Sequence, residues 1–278
     1  MDTRGGRTQA PGLASPPRSI GIRCLGRFEI TGSGQAPARL GRMHTRPIYL
    51  LKAMLARGGM DVDADALVAH VWSDLDGDAG RNALDLALHR LRKLLGSKQA
   101  ILTRAGQLSI NARLVWVDIW EFEALCDQLP KLVRAGQSNA VHVAQLLDCY
   151  RGAFLSDESC SWALTMRERL RSRFIRVIGL LADALAHQRS SNEVVALCRH
   201  AIEMEPTAEE FHARLIRCYC AEGRDAEALA AYERCRELLR GVLGVEPSPV
   251  TKALARKLLE SSRVRAFRYV KQKLDEGT

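Results

Sequence analysis

The run from Gly80 to Gly96 constrains the fold strongly, because its leucines recur at the spacing of an α-helix. At about 100° per residue, Leu84, Leu88, Leu91 and Leu95 fall along one line. The opposite side is mostly polar or basic and consists of Asn82, Asp85, Leu86, His89 and Lys93, with Arg81, Arg90 and Arg92 at its edges. This composition suits two kinds of helix, an ordinary amphipathic surface helix or one that enters the major groove of DNA.

The segments around this helix favour the DNA-binding interpretation. Residues 46–55 form a short apolar helix with a proline near its start, and residues 63–72 form a second one opened by an aspartate. Downstream, residues 100–104 and 107–110 alternate around the turn Ala105-Gly106, which predicts a β-hairpin. Helix, helix, long basic helix and hairpin is the order of a winged helix-turn-helix.

Strands are predicted ahead of this motif. Residues 22–30 and 38–40 have strand patterns and are separated by the turn Gly32-Ser33-Gly34. A sheet before the winged helix is the response-regulator variant of that fold. We therefore predict a mainly α chain with a small β component: a disordered tail over 1–19, a DNA-binding domain over 20–117 and an all-α domain over 118–278.

An internal repeat lies in the second half. Residues 192–201 align with residues 226–235 at an offset of 34, the period of the tetratricopeptide repeat, and Pro206 falls between the expected helices. Residues 162–187 form one long amphipathic segment whose alternating arginines predict a solvated face, with phosphate binding as the alternative. Stacked helical pairs bind proteins along a concave surface. A helical bundle with a chance period is the alternative.

The distribution of charge agrees with a nucleic-acid partner for the first domain. Residues 20–117 contain 14 Lys or Arg and 8 Asp or Glu, whereas residues 118–278 contain 24 and 23. The excess positive charge therefore lies mainly in the part that we interpret as DNA-binding, where it attracts a polyanion in a salt-dependent manner.

The sequence lacks the motifs that are typical of several other classes of protein. The eight cysteines are scattered without a Cys-x-x-Cys motif, which favours reduced thiols over a disulfide framework or a metal site. No phosphate-binding loop, dinucleotide fingerprint or His-Glu-x-x-His occurs, so we expect neither an enzyme nor a cofactor. With no apolar run of membrane length and no signal peptide, we expect a cytoplasmic protein.

Several short motifs together resemble one family. They are Leu25-Gly26-Arg27-Phe28, Arg81-Asn82-Ala83-Leu84, Val117-Asp118 with Phe122-Glu123, Tyr150-Arg151-Gly152-Ala153-Phe154-Leu155, and Leu243-Gly244-Val245-Glu246-Pro247-Ser248-Pro249 followed by Thr251. In this order the chain resembles the bacterial transcriptional activator domain proteins, which include the Streptomyces antibiotic regulatory proteins. The resemblance implies a sequence-specific DNA-binding transcriptional regulator of the activator type. Its helical half is then expected to contact RNA polymerase or a second protomer.

We expect double-stranded DNA as a partner, and a second copy of the chain on paired sites. The predicted contact residues are Arg81, Asn82, Asp85, His89, Arg90, Arg92, Lys93 and Arg104. Asp85 and Leu86 depart from the family pattern, although an aspartate accepts a hydrogen bond from the cytosine amine. The alternative function is an adaptor that does not bind DNA and uses both halves for protein contacts.

Overall fold

The computed structural model describes residues 19–32, 46–137, 140–159 and 161–260. These residues are mainly helical, with two small sheets. They divide into two compact units. The N-terminal unit comprises residues 19–24 and 28–117, and the helical unit comprises residues 25–27 and 118–260. The tail predicted over 1–19 lies outside the described residues except for its last one.

Three helices pack together in the N-terminal unit, and they are α1 (Arg46–Ala56), α2 (Ala64–Val71) and α3 (Gly77–Leu94). The α2 helix begins where the Asp63 carboxylate accepts a hydrogen bond from the Ala66 N–H at 2.7 Å. Gly80 lets α3 approach α2 closely, because a Cβ atom there would lie 2.4 Å from a Val68 methyl carbon. The side of α3 that carries Leu84, Leu88 and Leu91 is buried.

The N-terminal unit also contains a three-stranded sheet. Its strands are β3 (Val62–Asp63), β4 (Ile101–Arg104) and β5 (Gln107–Ile110), in the order β3-β5-β4. The antiparallel β4–β5 hairpin pairs Arg104 with Gln107, as the sequence pattern predicted. Its two turn residues, Ala105 and Gly106, both have positive φ angles, of 47° and 75°. Such a turn has the twist that suits a two-residue hairpin.

The second sheet corrects the prediction of one strand over residues 22–30. These residues form part of two strands, β1 (Ile20–Arg23) and β2 (Glu29–Thr31), which pair antiparallel, and β6 (Val115–Val117) runs parallel to β1. The chain between β1 and β2 belongs to the helical unit, where the Leu25 N–H donates to the buried Asp118 carboxylate at 2.8 Å. The predicted strand over 38–40 lies outside the described residues.

The helices of the helical unit follow one another with short connections. They are α4 (Asp118–Arg134), α5 (Ala140–Cys149), α6 (Ser161–His187), α7 (Ser191–Met204), α8 (Glu209–Ala221) and α9 (Asp225–Leu238), then a π-helical turn (Leu239–Leu243) and a helix α10 over 249–260. The α7 and α9 helices start 34 residues apart, at Ser191 and Asp225. The sequence repeat therefore corresponds to two helices whose starts are separated by the period of a tetratricopeptide repeat. No helix among the described residues is long and apolar enough to cross a membrane.

The α6 arginines also require a correction, because several of them hold the unit together instead of forming a solvated face. Arg167 donates to the carbonyl oxygens of Phe154, Leu155 and Glu158. Arg173 pairs with Asp127 of α4. The sequence showed the periodicity of these arginines but not their acidic and carbonyl partners, which come from other segments of the chain.

Aromatic packing joins α4, α6 and α8 around Tyr150. The Tyr150 ring stacks on Phe174 with centroids 4.0 Å apart, and Phe174 meets Phe211 edge to face at 6.3 Å. The Tyr150 hydroxyl donates to Glu205 at 2.5 Å, and the second oxygen of Glu205 accepts from Arg171 at 2.9 Å. Both oxygens of a carboxylate that is almost fully buried therefore have a partner, which removes the cost of burying it alone.

The proline-rich motif at residues 243–249 attaches α10 to α8. The Ser248 N–H donates to the Glu209 carboxylate at 2.8 Å, and the Thr251 side chain is buried. Partial burial of Glu209 opposes its ionisation, but hydrogen bonds from Ser248 and Thr251 outweigh that effect and lower the pKa of Glu209. The motif therefore has a structural role in the helical unit.

The seven cysteines in the described part of the chain form no disulfide bond there, and most are buried. Burial raises the pKa of the Cys126 and Cys198 thiols to about 12. These two side chains are thus neutral at physiological pH and pack as small apolar groups, as the sequence predicted. Cys160 lies outside the described residues.

We predict that His212 makes the stability of the helical unit depend on pH. Burial is the main cause that lowers the pKa of His212 from 6.5, assisted by the charge of Arg234. In the unfolded chain His212 binds a proton near pH 6.5, whereas in the folded chain it does so only at lower pH. The contribution of His212 to the free energy of unfolding is therefore complete above pH 6.5 and decreases below it. Urea unfolding at about pH 7.5 and about pH 5.5 should show a smaller loss of stability for His212→Gln than for the wild type. Equal losses in both proteins would contradict the assignment.

Candidate nucleic-acid interface

The outward face of α3 is the candidate interface of the N-terminal unit. Its side chains Asn82, Asp85, His89 and Lys93 are exposed, and Arg90 is exposed beside them. Opposite them, Leu84, Ala87, Leu88 and Leu91 are buried. The structure therefore brings five of the eight predicted contact residues to one continuous solvent-facing surface, which we call the α3 face.

Arg81 lies at the edge of the α3 face, near its N-terminal end. Its Nε atom is 3.4 Å from a carboxylate oxygen of Asp65 on α2, and about two thirds or more of each side chain is exposed. An ion pair this exposed contributes little to stability. Breaking the Arg81–Asp65 pair therefore costs little free energy, and Arg81 is able to bind another anionic group instead.

Arg92 turns away from the α3 face toward the hairpin. Its Nε and one terminal nitrogen donate to the Ile101 carbonyl oxygen at 3.1 and 2.8 Å, and that nitrogen also donates to the Thr103 hydroxyl at 2.9 Å. The side chain is only partly exposed. These bonds fix β4 against the last turns of α3. The sequence could not show this, because helical periodicity places Arg92 at the edge of the polar side without indicating its partner.

Arg104 occupies the tip of the hairpin. It is exposed and precedes the two-residue turn, and the Gly106 carbonyl oxygen accepts the Ala64 N–H at 2.9 Å. This hydrogen bond connects the turn to the first residue of α2. Arg104 therefore projects from a turn whose position is fixed. It is separate in sequence from α3 but belongs to the same unit.

A shallow groove at the C-terminal end of α3 includes Ser97 and Lys98, which the sequence pattern did not indicate. The groove is lined by His89, Arg92, Lys93, Gly96, Ser97 and Lys98. Lys98 and Ser97 lie after the glycine that ends the helix, and periodicity gives no signal there. Their proximity to Lys93 extends the basic surface beyond α3.

A second groove lies within the helical unit. It is bounded by α7, α8 and α9, and its lining includes Arg199, Ile202, Leu215, Tyr219 and Arg234. Arg199 donates to the Tyr219 hydroxyl at 2.7 Å, and the Arg224 guanidinium lies 4.6 Å from the centroid of the same ring. Apolar walls with arginines at the rim suit a protein segment better than a nucleic acid duplex. We call this the repeat groove.

No cluster of metal-binding side chains occurs among the residues that the structure covers.

Comparison with known proteins identifies the helical unit. Residues 117–259, just over half of the chain, match the family model described as the bacterial transcriptional activator domain. The chain belongs to the bacterial transcriptional activator domain family. This confirms the resemblance inferred from the sequence motifs.

Individual relatives agree with the family. The chain is 26% identical over 216 residues to the regulatory protein AfsR of Streptomyces coelicolor, an alignment that covers 76% of this chain and 22% of AfsR. It is 25% identical over 282 aligned positions to the transcriptional regulatory protein EmbR of Mycobacterium tuberculosis, with 94% and 68% of the two chains covered. This chain thus corresponds to only about a fifth of AfsR.

A solved structure has a similar fold. The structure of M. tuberculosis EmbR in complex with a low-affinity phosphopeptide superposes with a TM-score of 0.63 at 23% identity, covering 87% of this chain and 65% of that one. At this identity the match concerns the fold alone.

We predict that Arg92 stabilises the hairpin. Arg92→Gln removes hydrogen bonds to Ile101 and Thr103, and a lost charged hydrogen bond costs about 1.5–3 kcal/mol. Hydrogen exchange of the amides in β4 and β5 should become faster in this variant. Lys93→Gln, one position along and facing solvent, is the matched control and should leave the exchange unchanged. Equal exchange in both variants would show that Arg92 does not hold the hairpin.

Proposed function

We propose that this protein is a sequence-specific DNA-binding transcriptional regulator of the activator type. The observation that carries the proposal is the α3 face, a solvent-facing helical surface of amide, imidazole and cationic groups that lies opposite a fully buried stripe. We propose that the N-terminal unit acts as a winged helix-turn-helix, with α2 and α3 as the paired helices and the β4–β5 hairpin as the wing. Membership of a family of transcriptional regulators supports this.

In this proposal α3 lies in the major groove. Asn82, His89 and Lys93 project from one side at intervals of one or two helical turns, so they follow base edges along the groove. Arg90 and Arg81 lie toward the groove walls and contact phosphates, for which Arg81 gives up its exposed pair with Asp65. The net positive charge of residues 20–117 provides the non-specific, salt-dependent part of the affinity.

The hairpin makes a second DNA contact through Arg104. An arginine at the tip of a wing suits a phosphate or the minor groove. Arg92 then acts as a positioning residue, because its three hydrogen bonds set where the hairpin lies relative to α3. This differs from the phosphate contact that the sequence suggested for it.

The helical unit provides the protein contact, and the repeat groove is the surface we assign to it. The partner is RNA polymerase or a second copy of the chain. The groove supports this assignment because it combines exposed arginines with the apolar side chains Ile202 and Leu215. Tetratricopeptide-like stacks present concave surfaces of this kind to proteins.

We predict that Asn82 and His89 determine base preference. Asn82→Ala or His89→Ala in the full chain should each reduce discrimination against mismatched bases by about 1–3 kcal/mol. Binding to selected and to random duplexes at several salt concentrations measures this, with the exposed Asn192→Ala of α7 as the control. If both variants retain the wild-type sequence preference, α3 does not read DNA. If the wild type loses all duplex binding at physiological salt, the protein is an adaptor.

We also predict that the repeat groove is needed for activation but not for DNA binding. Arg234→Glu reverses a charge at the rim, whereas Arg217→Glu reverses one on the exposed side of α8 outside the groove. Only Arg234→Glu should abolish activated transcription in a purified system, with affinity for a duplex that carries a single site unchanged. Analytical sedimentation of both variants distinguishes between the two candidate partners. If Arg234→Glu has a lower molecular mass than the wild type, the partner of the repeat groove is a second copy of the chain. Full activation by Arg234→Glu would contradict the assignment.

A further inference from the structure

Two neighbouring side chains on the α3 face have a chemistry unlike the rest of it. Leu86 is 52% exposed, although it lies between the polar residues Asn82 and His89. Asp85 is also exposed, and it makes no ion pair within the part of the chain that the structure describes. Neither side chain is required by the packing of the N-terminal unit, because both point away from the buried stripe.

Leu86 restricts the base that can lie opposite it. Contact between a leucine and a polar base edge does not contribute favourable binding free energy. The polar edge loses its water in this contact and obtains no hydrogen bond from the leucine in return. The floor of the major groove carries one methyl group, at C5 of thymine, and the other groups displayed there are hydrogen-bond donors, hydrogen-bond acceptors and small ring C–H groups. Thymine is therefore the base whose contact with Leu86 is favourable through apolar burial.

Asp85 restricts its base by charge. An ionised carboxylate only accepts hydrogen bonds, so guanine, which displays the acceptors N7 and O6, and the O4 side of thymine repel it. Adenine has an amine donor, but the N7 acceptor beside it faces the same carboxylate. Cytosine displays its N4 amine without such an acceptor, and aspartate pairs with it.

We propose that Asp85 and Leu86 read a cytosine amine and a thymine methyl group, so that the DNA site of this protein contains both bases under the middle of α3. The inference rests on the proposed function, since it requires α3 in the major groove. It assigns a role to the exposed Leu86. It also makes the exposed Asp85 carboxylate a source of selectivity at the cost of some affinity, because the carboxylate repels phosphates.

The first test removes the methyl group from the DNA. Duplexes selected from a random pool with the full chain are resynthesised with deoxyuridine in place of each thymidine in turn. At one thymidine the replacement should weaken wild-type binding by about threefold to tenfold, the effect of losing one buried methyl group. The same replacement should have no effect on Leu86→Ala, an exposed helical substitution that the fold tolerates. Leu164→Ala, which alters a similarly exposed leucine on α6, should behave as the wild type.

The second test concerns Asp85. Selection with Asp85→Asn should replace one invariant cytosine by adenine, because an amide pairs with both N6 and N7 of adenine. The inference is overturned if no thymidine responds to loss of its methyl group, if the response persists in Leu86→Ala, or if Asp85→Asn selects the same sequence as the wild type. If the proposed function itself is wrong, the result is different, because the wild type would then enrich no DNA sequence from the random pool.

Discussion

The burial of one side of α3 is the constraint on which the N-terminal unit depends. Leu84, Leu88, Leu91 and Leu95 are each at most 6% exposed, and burial of such a side chain contributes about 1.5–3 kcal/mol. A rotation of α3 about its axis would expose this stripe and place charged groups in the core. The α3 face is therefore held toward solvent by the leucines behind it, and Gly80 allows α2 to pack closely enough to maintain that orientation.

Arginine side chains fix the positions of separate segments in both units. Arg92 joins α3 to β4, Arg46 donates to the Val71 carbonyl oxygen at the end of α2, and Arg167 gathers three carbonyl oxygens before α6. A guanidinium group has several donors in a rigid plane, so it can satisfy multiple carbonyl oxygens at once. Part of the basic composition that suggests nucleic acid thus serves the fold, and the arginines left for a polyanion are those with weak or no internal partners.

The helical unit combines a polar network in its core with a groove at its surface. Tyr150, Glu205 and Arg171 form a connected set of hydrogen bonds inside an aromatic cluster, which leaves little freedom to the helices that carry them. The repeat groove lies on α7, α8 and α9, the helices that the 34-residue period generates. A rigid stack that presents a groove is suited to binding without large rearrangement, since little order must be gained on association.

The sequence by itself determined the elements whose period or turn chemistry is local. The leucine repeat gave α3 and its solvent-facing residues, the Ala105-Gly106 turn gave the hairpin, and the 34-residue offset gave the equivalence of α7 and α9. Tertiary structure decided whatever depends on residues distant in the chain. It placed Arg92 against β4, divided residues 22–30 into two strands by drawing Leu25 to Asp118, added β6 beside β1, and gave the α6 arginines their partners. Periodicity specifies which way a side chain faces from its own helix or strand. Its partner is set by packing and by hydrogen bonds between segments that no local pattern relates.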